Sequence, residues 1–116
     1  MIGEDNEINQ KVLLKMLEKS GYTADIAGTG IEVLECLKRK PYDLIFMDIQ
    51  MPVMDGMEAT RIIRETIPED TRPKIIAVTA NAFESDREEY LSAGMDDYIS
   101  KPIKRDQLQK IISKFV

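Results

Sequence analysis

Two kinds of apolar pattern share this chain. Leu44–Met47 and Ile75–Val78 are apolar throughout, as in strands buried on both faces. Between such runs, apolar residues recur every three to four positions, the spacing of a helix with one buried stripe. Met1–Glu4 is a short candidate strand. Over Asn6–Ser20, Ile8, Val12 and Met16 form one stripe with Leu13 and Leu17 beside it, which predicts a half-buried helix with Gly21 as its natural C-cap. Tyr22–Ala27 reads as a second strand. Gly28-Thr29-Gly30 is a turn in which Thr29 caps a helix running to Arg39, and Pro41 ends it. Asp43–Met47 is the third strand, followed by a helix over Met57–Thr66 with Ala59, Ile62 and Ile63 inward. Pro68 and Pro73 bracket a loop before the fourth strand, Lys74–Val78. A helix over Ser85–Ala93, capped by Ser85 and stopped by Gly94, leads to a short fifth strand, Asp97–Ser100. Lys104–Phe115 closes the chain as a helix with Leu108, Ile111, Ile112 and Phe115 on one face.

Five strands alternating with five helices imply right-handed parallel crossovers and a sheet covered on both sides. The expected class is α/β, in one domain spanning residues 1–116. Composition fits: 43% of the residues are apolar, enough for one core. The net charge of -5 argues against direct nucleic-acid binding, which needs a basic footprint. No apolar run approaches the roughly 18 residues of a membrane helix, and no secretory leader pattern opens the sequence. A single cysteine, Cys36, rules out an internal disulfide and reads as a small core or boundary residue. Together these features point to a cytoplasmic setting.

Histidine is absent from the chain. Ser-His-Asp and Cys-His devices are thereby excluded, and so is a His-ligated zinc. Any chemistry rests on carboxylates, lysine, hydroxyls and backbone amides, or on a histidine brought by a partner. The candidates sit at strand ends, where open α/β sheets bind ligands. They are Glu4-Asp5 after the first strand, Asp48 after the third, Thr79 after the fourth and Lys101 after the fifth. Singly, each has an ordinary explanation: Asp5 or Asn6 as a helix cap, Asp48 as a loop-starting aspartate, Thr79 as a turn cap, Lys101 as a surface lysine. Converged, three carboxylates need a cation. An all-oxygen donor set without His or Cys points to Mg²⁺. A strand-terminal aspartate is a competent nucleophile toward phosphorus, with a hydroxyl and an ammonium to hold the phosphoryl oxygens.

Four segments carry a resemblance. Glu4-Asp5-Asn6, Met47-Asp48-Ile49-Gln50-Met51-Pro52-Val53-Met54-Asp55-Gly56, Val78-Thr79-Ala80-Asn81-Ala82 and Asp97-Tyr98-Ile99-Ser100-Lys101-Pro102 closely resemble the receiver domain of two-component response regulators. The likeness covers essentially the whole chain and is greatest to receivers fused to hybrid sensor histidine kinases. It implies a flavodoxin-like, doubly wound five-stranded sheet of order 2-1-3-4-5. It implies that Asp48 accepts a phosphoryl group from a phosphohistidine on a histidine kinase or histidine phosphotransfer domain. Asp5, Asp48 and the Gln50 backbone carbonyl would ligate Mg²⁺ or Mn²⁺, with Glu4 acting through water. Thr79 and Lys101 would hold the phosphoryl oxygens, and Tyr98 would be the aromatic that turns inward with Thr79. Gln50 and Asn81 fall where the family tunes phosphoryl lifetime, and the bond before Pro102 would be cis. The switched surface would be the face of the fourth helix, fifth strand and fifth helix. The protein would be cytoplasmic, with no direct membrane contact, or the cytoplasmic part of a membrane-bound hybrid kinase.

One departure stands out. Only Met1, Ile2 and Gly3 precede Glu4, and Gly weakens a strand interior. A marginal first strand is expected, with lower stability, a displaced Asp5, a truncated piece, or a homodimer that exchanges a strand. Two other functions compete. A haloacid-dehalogenase-type phosphatase shares the Asp nucleophile, Thr, Lys and Mg²⁺, but places an acidic residue where this chain has Gln50. A receiver-like module that only binds proteins would be favoured by loss of the acidic pair, Asp48 or Lys101; all are present, and the short first strand is its one support.

Overall fold

A computed structural model describes residues 1–80 and 84–115. The elements run β1 (Ile2–Gly3), α1 (Glu7–Lys19), β2 (Ile26–Ala27), α2 (Gly30–Arg39), β3 (Leu44–Asp48), α3 (Gly56–Thr66), β4 (Lys74–Thr79), α4 (Glu84–Ala93), β5 (Asp97–Ser100) and α5 (Arg105–Phe115). All strand pairs are parallel, in the order β2-β1-β3-β4-β5. Two-residue alternation divides the apolar runs between two cores. On β3, Ile45 and Met47 enter a core with Val33, Ala59 and Ile63, from α2 and α3. Phe46 enters the opposite core with Leu13 and Leu17 of α1 and Leu108, Ile111 and Ile112 of α5. The sheet is thus sandwiched, which is why β3 and β4 show no polar face.

Helix ends follow local chemistry. Asn6 caps α1 by accepting the Asn9 N–H at 3.1 Å. Thr29 caps α2 by accepting the Glu32 N–H at 3.1 Å, while the Glu32 carboxylate reaches back to the Gly28 N–H at 2.7 Å. Asp55 caps α3 through the Glu58 N–H at 2.9 Å. Gly21 and Gly94 stand just past α1 and α4 with φ of +88° and +109°, conformations open to glycine. Cys36 is half-buried against the α2–α3 core. The Ser85 side chain, expected to cap α4, lies outside the described residues.

Some expectations need correction. The α1 stripe is turned: Leu13 and Leu17 face the sheet, while Ile8 is 72% exposed and Val12 47%. Two overlapping i, i+4 rows run along this helix, and spacing cannot say which one the sheet takes. The strand expected over Tyr22–Ala27 is only Ile26–Ala27, because β1 offers two residues of ladder, Ile2↔Ile26 and Gly3↔Ala27. β3 extends through Asp48 and β4 through Thr79, each one residue beyond the apolar run. β1 is as short as expected, yet it sits in the middle of the sheet with Ile2 fully buried.

Gly56 decides how closely α3 approaches β3. A Cβ there would lie 2.2 Å from the Asp48 carbonyl oxygen and 2.9 Å from Met47 Cγ. The Gly56 N–H donates to the Ile49 carbonyl at 3.1 Å. Gly56→Ala should therefore destabilise the fold by about 1–3 kcal/mol, as overpacking does. Urea denaturation measures it, and an unchanged midpoint would contradict this account of the α3 approach.

Candidate functional site

Strand register sets the site. Gly3 lies opposite Met47, so Glu4 emerges beside Asp48. Asp48 lies opposite Val78, and Thr79 opposite Ser100, so Thr79 and Lys101 leave the sheet at neighbouring levels. The Lys101 N–H also donates to the Thr79 carbonyl at 2.8 Å, which ties the two strand ends. All the predicted strand-end residues thereby reach one open crevice of about 790 Å³, lined by Glu4, Asp5, Asp48, Gln50, Thr79 and Lys101 among others.

Within it, Lys101 Nζ donates to Asp48 Oδ2 at 2.8 Å and to Glu4 Oε1 at 3.1 Å. The Gln50 backbone N–H holds Asp48 Oδ1 at 3.0 Å. Glu4 Oε2 takes the Asn6 N–H at 3.4 Å. Glu4 and Asp48 are each only 5% exposed, whereas Asp5 is open to solvent. Carboxylate oxygens of Glu4, Asp5 and Asp48 lie within 4.8 Å of one another. The expected displacement of Asp5 does not occur. Three carboxylates against one ammonium leave a negative excess, and the all-oxygen donor set fits a hard divalent cation. Burial works against the charge of Lys101, but its hydrogen bonds to Asp48 and Glu4 outweigh it and raise its pKa above the usual lysine value.

The other predicted residues are placed as follows. Tyr98 is half-buried against the α2–α3 core and borders a groove with Arg87 of α4 and Gln107 and Lys110 of α5. The Lys101–Pro102 peptide bond is cis. Asn81 lies outside the described residues. Two features escape a reading of the sequence. Tyr90 of α4 lines the crevice, its hydroxyl 3.0 Å from Thr79 Oγ1. Nothing in the polar pattern of α4 marks that tyrosine as part of a site. Apolar exposure is the second: Ile8 and Val53, which is 83% exposed, adjoin the crevice-lining Asn9 and Pro52 in sequence, and the exposed Val12 lines a neighbouring pocket with Glu4, Asp48 and Lys101. Val53 is held at φ +67° in a tight turn in which the Met54 N–H donates to the Pro52 carbonyl at 2.7 Å. That backbone is strained for a β-branched residue.

The response regulator receiver domain family matches residues 1–113. The chain is a receiver domain of this family. It is 43% identical over 116 residues to the hybrid signal transduction protein dokA of Dictyostelium discoideum, covering all of this chain and 7% of that protein. Such relatives are many times longer than the receiver. Among solved structures, it is similar to the receiver domain of sensor histidine kinase PA1611 from Pseudomonas aeruginosa. The two are 45% identical with a TM-score of 0.87, over 98% of this chain and 93% of that one. That receiver carries a magnesium ion in its active-site cleft. The receiver domain of Ssk1, in complex with the histidine phosphotransfer protein Ypd1 of Saccharomyces cerevisiae, matches with TM-score 0.91 and 33% identity, over 98% of this chain and 85% of that one. The sheet order and helices of the present receiver are those of this flavodoxin-like fold.

The Lys101 links give a pH prediction. Because the folded pKa lies above the unfolded value of about 10.4, the stabilisation is complete below that pH and is lost as pH rises through the folded value. Without added metal, Lys101→Met should cost about 1–3 kcal/mol at neutral pH, since it strips charged hydrogen bonds from two buried carboxylates. Denaturation across pH 7 to about 11.5 should show a constant gap between wild type and variant that narrows only above about pH 10. A gap that already closes near neutrality would contradict the assignment.

Proposed function

We propose that this receiver takes a phosphoryl group on Asp48 from a phosphohistidine and passes the change of state to a binding surface. The observation that carries the reading is the buried Asp48 carboxylate, held by Lys101 and the Gln50 N–H within a cluster of three acidic side chains. The chain has no histidine, so the donor imidazole belongs to another domain or chain. An Asp48 oxygen attacks phosphorus, the P–N bond breaks, and its electron pair returns to the imidazole nitrogen. Lys101 and Thr79 hold the phosphoryl oxygens, and Lys101 moves its hydrogen bonds from the carboxylate to them. Asp5, Asp48 and the Gln50 carbonyl would hold Mg²⁺ or Mn²⁺, with Glu4 acting through water. The metal supplies charge neutralisation for the carboxylates and the transferring group. Gln50, which lines the crevice, and Asn81 are assigned by the family resemblance to tuning the lifetime of the acyl phosphate.

A histidine kinase or histidine phosphotransfer domain is the partner this surface favours. The exposed Ile8 and Val12 of α1 and Val53 after β3 are assigned to seating a helical surface that presents a phosphoimidazole, since Ile8 and Val53 adjoin the crevice-lining Asn9 and Pro52 in sequence. Thr79 and Tyr98 are assigned to the switch, with readout at the face of α4, β5 and α5. The likeness to receivers within much longer hybrid signalling proteins supports a cytoplasmic setting, alone or as one part of a larger hybrid kinase. Among the described residues, no helix is long and apolar enough to cross a membrane.

Incubation with acetyl phosphate and Mg²⁺ should add one phosphoryl group by intact mass, and Asp48→Asn should add none. No gain in the wild-type protein would end this reading. Mg²⁺ alone should raise the thermal midpoint by mass action, and Asp5→Asn should lose most of that rise. A shift unchanged in Asp5→Asn would move the metal elsewhere.

A further inference from the structure

We propose that Tyr90 is a positioning residue for phosphoryl transfer: its phenol donates to Thr79 Oγ1 and so points the Thr79 hydrogen at a phosphoryl oxygen on Asp48. The inference rests on the assignment of Asp48 and Thr79 above. The two hydroxyl oxygens are 3.0 Å apart, both side chains are buried, and both line the crevice that holds Asp48 and Lys101. Each hydroxyl offers one hydrogen and two lone pairs, whereas a phosphoryl oxygen offers lone pairs only. Once Thr79 gives its single hydrogen to the phosphoryl group, its link to Tyr90 persists only with the phenol as donor. A phenol is a stronger hydrogen-bond donor than an aliphatic alcohol, so this direction is also intrinsically preferred. Charge on the phosphoryl group then strengthens both bonds of the chain Tyr90 → Thr79 → phosphoryl.

The phenol is well placed to impose that direction. Over Arg87–Ala93, Tyr90 is the one buried residue of α4, and its ring shares the core with Ile75, Ala77 and Met95. Its carbonyl accepts the Met95 N–H at 3.1 Å at the helix end. Thr79 is fixed through its own carbonyl by Lys101. The Thr79 backbone is thus anchored at a strand end and the Tyr90 backbone at a helix end.

The test is titration of the purified receiver with beryllofluoride, a phosphoryl mimic, in the presence of Mg²⁺. Tyr90→Phe keeps the ring and should bind about fivefold more weakly, the net worth of one hydrogen bond. Affinity for Mg²⁺ alone should not change, because no cation ligand has been touched. On a Thr79→Ala background Tyr90→Phe should have no further effect, whereas on Thr79→Ser, which keeps the hydroxyl, the loss should persist. Equal or tighter binding by Tyr90→Phe overturns the proposal. Additive losses on Thr79→Ala, or a parallel fall in Mg²⁺ affinity, also overturn it, since a merely structural tyrosine would behave that way. A wild-type receiver that binds no beryllofluoride would overturn the phosphoacceptor assignment itself. Binding by wild type with no change in the variant would overturn the Tyr90 role alone.

Discussion

Three acidic side chains are held at one rim against a single ammonium, and they would separate if the sheet did not prevent it. Glu4, Asp5 and Asp48 come from two neighbouring strand ends, and Lys101 comes from a strand two places further across. Like charges at such spacing repel, the more so when two of the three are buried. The packing of β3 and β4 between two apolar layers supplies the opposing force. The site is therefore strained by design of charge and stable by design of core, and the two are linked through the backbone.

That linkage is specific. Asp48 is the last residue of β3, so its backbone is fixed by the ladder while its side chain reaches the crevice. Gly56 lets the start of α3 lie against the Asp48 carbonyl. Thr79 and Lys101 share a backbone hydrogen bond, so neither strand end moves independently. A rigid frame carries the reacting groups, and the exposed loops around it carry recognition. Val53 belongs to the second class, an apolar side chain presented to solvent by a backbone angle that valine disfavours.

Most of this was legible in the sequence, for a physical reason. A parallel sheet buried on both faces leaves uninterrupted apolar runs, and the residue after each run is polar because it meets the rim. Asp48, Thr79 and Lys101 stand out for that reason. What escaped the reading was orientation. The α1 rows of Ile8, Val12 and Met16 and of Leu13 and Leu17 have the same period, and only contact with Phe46 and α5 selects the second. β2 was overestimated because strand propensity says nothing about the length of the partner. Tyr90 was missed because a lone tyrosine on a polar helix carries no periodic signal. Its meaning depends on Thr79, eleven positions earlier, reaching the same spot.

The two residues of β1 have a consequence for how the molecule comes apart. They are the seam between β2 and the rest of the sheet, since β2 is the edge strand and, among the described residues, pairs with β1 alone. Unzipping Ile2 and Gly3 from β3 would carry Glu4 and Asp5 away with them. Whatever ties those two carboxylates to Asp48 also stitches the seam. Occupancy of the rim then governs how often this half of the fold breathes open.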